Sequence, residues 1–182
     1  MGTIKATNIE PIADNGTVTL GGSGDIFTLG SGTKASFLYP AFEAHSDSNQ
    51  TVTDNTFTKV SLQTEVLDTN SNFDNSSNYR FTPTVAGKYY IEGQVEGGAD
   101  SNDRLRNVYA LIYKNGSSYK ESRINFQPNE IELCAIQVSA IVDMNGSSDY
   151  VELFGAVDST TGTVQFREGT KSTYFLGYRL GT

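Results

Sequence analysis

The feature that most constrains this chain is its punctuation. Two of its three Asn-Gly pairs, Asn115-Gly116 and Asn145-Gly146, each close a run rich in β-branched, aliphatic and aromatic residues. Both central residues of a type I′ turn need positive φ, which Asn-Gly supplies, so each pair predicts a tight hairpin. From residue 88 the chain reads as strand 88–97, loop 98–106, strand 107–114, tight turn, strand 119–124 and loop 125–130. It continues as strand 131–142, tight turn, strand 150–157, loop 158–172 and strand 173–180. Successive antiparallel strands reverse direction. The tight turns and the C-terminus are therefore expected at one end, the base, and the long loops at the other, the tip.

Composition points the same way. The chain holds 20 Thr, 18 Ser and 14 Asn, together with 10 Tyr and 10 Phe. Thr, Tyr and Phe favour strands, while Ser, Asn and Gly favour turns, which predicts an all-β fold. Along 88–96, Tyr89, Ile91 and Val95 share one face, and Lys88, Glu92, Gln94 and Glu96 mark the other as wetter. Three further stretches, 108–113, 131–142 and 174–180, are apolar on both faces. A sandwich covers only one face of each sheet, so the second face predicts a neighbouring subunit, or else exposed Tyr rings. Residues 1–34 are rich in Gly and Thr and poor in large apolar side chains; we read them as a thin β stem or attachment segment preceding one domain over 35–182.

Several function classes lack their residues. No run of apolar residues is long enough to cross a membrane as a helix, and residues 1–14 hold no apolar export core. The net charge of -8 lacks the basic footprint of a nucleic-acid binder. Cys134 is the single cysteine, set in an apolar run and read as a core residue; His45 is the single histidine, read as a rim residue. One of each does not make a zinc cluster, and no nucleophile elbow, P-loop or dinucleotide fingerprint is present. Binding or assembly is expected rather than catalysis, with no cofactor.

The run Phe73-Asp74-Asn75-Ser76-Ser77-Asn78-Tyr79-Arg80-Phe81-Thr82-Pro83-Thr84-Val85-Ala86-Gly87-Lys88-Tyr89-Tyr90 resembles the signature of the C1q-like domain. Weaker matches follow the family's order. Ala41-Phe42-Glu43-Ala44 resembles its opening strand, and Leu111-Ile112-Tyr113-Lys114-Asn115-Gly116 its fourth strand and turn. Ser148-Asp149-Tyr150-Val151-Glu152-Leu153 is similar to its Gly-Asp-x-Val-x-Leu strand, with Ser for Gly, and Phe175-Leu176-Gly177-Tyr178-Arg179-Leu180 to its closing strand. The resemblance spans about residues 38–180. It implies a ten-strand, two-sheet jelly roll of the tumour necrosis factor type that forms homotrimers through one sheet. No collagen repeat is present. The β-rich stem is similar to those preceding bacteriophage fibre tips.

The resulting expectation is a bacteriophage virion protein, a tail or fibre component, assembled in the host cytoplasm. Residues 1–34 would contact other virion proteins, and the jelly roll would meet a host-surface glycan or protein. One alternative is a purely structural role as head decoration, collar or capsid fibre; another is a bacterial secreted C1q-like binding module. Candidate receptor contacts in the tip loops are Asp100, Asp103, Arg104 and Arg106, then Gln127 and Glu130, then Phe166, Arg167 and Lys171. Asp100 and Asp103 are also the weak calcium candidates, since carboxylates are hard oxygen ligands.

Overall fold

The computed structural model describes residues 39–169 and 172–181. The expected stem over 1–34 and the candidate Lys171 lie outside the described residues. The described chain is all-β with no helix, and its strands form two sheets. In order they are β1 (Ala41–His45), β2 (Gln50–Val52), β3 (Thr58–Lys59), β4 (Thr64–Asp68), β5 (Phe73–Asp74), β6 (Arg80–Phe81) and β7 (Gly87–Ala99). Then come β8 (Leu105–Lys114), β9 (Ser117–Asn125), β10 (Leu133–Met144), β11 (Val151–Ser159), β12 (Val164–Phe166) and β13 (Tyr174–Gly181).

The first sheet is built on β7. β10 pairs along one edge of β7 from Met144↔Gly87 to Leu133↔Gly98. The other edge divides: β13, β1 and β4 follow in turn beside its first half, and β12 and β2 beside its end. The second sheet runs β5-β6-β11-β8-β9, with β3 also on β11. Thirteen hydrogen-bonded segments thus stand where ten strands were expected, several of them only two or three residues long.

Aromatic residues of the C1q-like run join the two sheets. Phe42 of β1 stacks on Phe81 with ring centroids 4.3 Å apart and on Phe73 at 5.1 Å, and meets Phe175 edge-on at 5.1 Å. Phe81 in turn meets Tyr89 at 5.7 Å. All five rings are buried. The Tyr89 hydroxyl donates to the Val85 carbonyl at 2.6 Å, so its polar end is satisfied where its ring is buried.

Asn115-Gly116 and Asn145-Gly146 behave differently. Asn115 (φ 52) and Gly116 (φ 76) form the predicted type I′ hairpin between β8 and β9. The second pair is not a hairpin, because β10 and β11 lie in different sheets and do not pair. Instead the Asn145 side-chain oxygen accepts the backbone N–H groups of Ser147, Ser148 and Asp149, which turns the chain across the sandwich. Gly146 (φ 70) is required there: a Cβ on it would lie 2.3 Å from the Ala86 nitrogen. Both turns nevertheless sit together at the base. Asn115 donates its side-chain amide to Asp149 and accepts the Tyr150 N–H at 2.9 Å.

Candidate functional site

The loops at the opposite end converge as the alternation of strand directions requires. The Asp100 carboxylate accepts Arg104 Nη1 at 2.8 Å and the Thr163 N–H at 3.0 Å. The Thr160 N–H donates to the Arg104 carbonyl, and the Arg104 N–H to the Ile131 carbonyl. The Phe126 N–H reaches the Arg106 carbonyl at 2.8 Å. Segments 100–104, 126–131 and 159–163 are therefore one hydrogen-bonded cluster.

Within that cluster the arginines are engaged internally. Arg106 Nη2 lies 2.7 Å from Asp158 Oδ1 and 2.6 Å from the Ser159 carbonyl, so it fastens β8 to β11. Asn107 donates to the other Asp158 oxygen at 2.6 Å, and Asp158 is itself buried. The Thr163 N–H, and next to it the Arg104 guanidinium, hold the Asp100 carboxyl below its ordinary range. Arg104 thus already supplies the cationic partner of one calcium candidate. No group of three metal-ligating side chains occurs among the described residues.

The other candidates separate. Asp103 (φ 58), Gln127 and Glu130 keep side chains without a hydrogen bond, with Asp103 and Gln127 exposed and Glu130 half-buried. Phe166 does not belong to a surface at all: it is the last residue of β12, fully buried, against Gly155 of the other sheet. Its expected place in a loop is corrected to a strand: a three-residue strand is too short to show alternation in the sequence. Arg167 lies over Gly98 beside Leu133, and its Nε is buried without a partner. Among the described candidates, the side chains of Asp103, Gln127 and Glu130 are thus left free at the tip, and Arg104 and Arg106 are tied to carboxylates.

A second surface is more distinctive. The side chains on the outer face of the β7 sheet fall into rows across the strands. Nearest the base stand Ile141, Tyr90, Tyr178 and Ala41. Next come Ser139, Glu92, Leu176, Glu43 and Leu67, and then Gln137, Gln94, Tyr174, His45 and Thr64. Ile141 is 58% exposed, and Tyr178, Leu180, Leu67 and Leu133 are also exposed. Polar groups in the middle of this face satisfy one another: Tyr90 and Tyr174 donate to the two oxygens of Glu92, and Gln137 donates to the Tyr174 hydroxyl at 2.6 Å. The two-faced pattern of β10 and β13 therefore leaves an apolar surface on the outside, whereas the outer residues of β8 belong to the other sheet.

No protein-family model matches this sequence, and no curated protein does. Solved structures do match its fold. Murine APRIL at pH 5.0 superposes with a TM-score of 0.57 at 9% identity, covering 78% of this chain and 99% of that one. Eiger TNF from S. frugiperda gives 0.55 at 10% identity, covering 80% and 93%. The globular domain of zebrafish complement 1qA gives 0.53 at 14% identity, covering 78% and 97%. At such identities the likeness is one of fold, and the fold is the C1q/TNF-like jelly roll.

Proposed function

With a C1q/TNF-like jelly roll as the premise, we propose that this chain is a homotrimeric bacteriophage virion protein, a fibre or tail component that meets the host surface through its tip. One observation carries the reading. Five large apolar side chains, Leu67, Leu133, Ile141, Tyr178 and Leu180, stand exposed on the outer face of one sheet of a chain whose net charge is -8, and such a face calls for cover. Three copies packed through that sheet would cover it and set three tips side by side. Even weak contacts at each tip then gain from their high effective concentration. The Asn, Ser and Thr richness, the acidic charge and the Gly/Thr-rich first 34 residues suit a virion component attached at that end.

A structural role as head decoration or collar is favoured by a different observation: two of the tip arginines, Arg104 and Arg106, are tied to Asp100 and Asp158 rather than offered outward. Adsorption competition separates the two. Purified protein that slows phage adsorption in proportion to dose supports receptor binding, and no competition at saturating protein sinks it. Native mass measurement tests the shared premise: a species of three chains is expected at micromolar concentration.

A further inference from the structure

The outer face of the β8 sheet is paved with rings. Tyr109, Leu111 and Tyr113 point outward from β8, opposite Ala156, Phe154 and Glu152 of β11. Tyr113 stacks on Phe154 with centroids 4.0 Å apart and planes at 17°. At the other end Phe57, 47% exposed, meets Tyr109 edge-on at 5.5 Å. Leu111 between them is buried although it faces away from the core. Four residues of strand separate Tyr109 from Tyr113, so the half-exposed rings form a strip about 13 Å long.

Charge marks the two ends of this strip. Arg123 lies over the Tyr109 ring at 5.7 Å, and Arg80 over Tyr150 at 4.4 Å beside the Tyr113 end. Acids outnumber bases 21 to 13 in this chain, and five of its described cations each hold a carboxylate. Arg80 and Arg123 hold none. Both guanidiniums rest on rings, which orients them while leaving their N–H forks free to donate to a carboxylate in bidentate fashion.

We propose that this face binds an acidic oligosaccharide. The C–H groups of its sugar rings would lie against the exposed Phe57 ring and the edges of Tyr109 and Phe154, and its carboxylates on Arg123 and Arg80. A row of half-exposed rings, packed edge to face and face to face, suits a ligand with apolar C–H groups and a polar edge. Two separated arginines suit spaced carboxylates; the surrounding net negative charge disfavours a dense polyanion. The site lies on the opposite sheet from the apolar face described above and does not depend on chain association or on the tip.

The test is calorimetric titration of the full chain with an oligogalacturonate, its methyl ester, a polyphosphate and a single-stranded oligonucleotide. The oligogalacturonate is expected to bind, with the methyl ester at least about tenfold weaker, as expected when a desolvated charged pair is lost. R80Q/R123Q should lose about as much while its circular dichroism stays unchanged, since neither arginine holds a carboxylate. F57A should weaken binding several-fold, and I141D, on the other sheet, should leave it intact. Absence of oligogalacturonate binding at millimolar concentration overturns the proposal. So does equal binding of the ester, unchanged binding by R80Q/R123Q, or preference for polyphosphate or oligonucleotide.

Discussion

Replacing Ile141 with Asp separates chain association from folding. The Ile141 side chain points away from the core, and its backbone pairs with Tyr90, so I141D leaves the ladder and the core unchanged. Full burial of an isoleucine side chain is worth roughly 1.5–3 kcal/mol. With 58% still exposed in the single chain, covering the rest contributes about 1–1.5 kcal/mol per chain, or about 3–5 kcal/mol across three. Each buried aspartate would add a desolvation cost, so the figure is a lower bound. At 1.4 kcal/mol per tenfold, the trimer should be weakened by at least a factor of about a hundred to a few thousand. Sedimentation across nanomolar to micromolar concentrations reads this directly. Circular dichroism should give a β spectrum for both proteins, with a concentration-dependent melting temperature for the wild type only. A wild type that sediments as a 19.7 kDa monomer, or an I141D chain that associates as tightly as wild type, refutes the reasoning.

Three further outcomes follow from packing and electrostatics. Phe42→Ala removes the ring shared by Phe73, Phe81 and Phe175 and should cost about 3–5 kcal/mol in chemical denaturation; a loss below 1 kcal/mol would contradict this account of the core. Gly146→Ala should destabilise more than Gly116→Ala, because both add left-handed strain but only the first drives a Cβ into the Ala86 backbone; equal melting temperatures would remove the close approach as the reason. The Asp74 carboxylate accepts the Ser77 N–H, the Asn78 amide and the Ser76 N–H, which hold its pKa well below the ordinary 3.8. A lowered folded-state pKa gives stability that is present above the unfolded value and lost as pH falls towards the folded one. Asp74→Asn should therefore be less stable than wild type at pH 7, the gap narrowing steadily below pH 4; a gap independent of pH counts against the Asp74 contacts.

Local pattern carried the sequence reading well where one face of a strand meets the core. Tyr89, Ile91 and Val95 are buried as their alternation requires, and Asn115-Gly116 makes its hairpin because both residues sit between mutually paired strands. Asn145-Gly146 shows where local chemistry stops: the same dipeptide caps a crossing because β11 prefers β8 to β10. That preference is a property of the whole sandwich. The tie of Arg106 is illegible in the sequence for a related reason, since only the fold brings Asp158 to it across 52 residues. Two-faced apolarity likewise had two causes. In β10 and β13 it exposes an apolar surface, whereas on β8 the residues are outward Tyr rings laid beside Phe154.

The position of β1 bears on how the molecule carries force. Its first residue, Ala41, pairs with Tyr178 near the base, and its last, His45, pairs with Tyr174 nearer the tip. β4 flanks its other side from His45↔Thr64 to Phe42↔Asp68. Tension entering at Pro40 and leaving through the tip therefore runs parallel to β1 and loads the hydrogen bonds on both its edges together. They would share the pull in shear instead of opening one at a time, as they would in a strand peeled from its end.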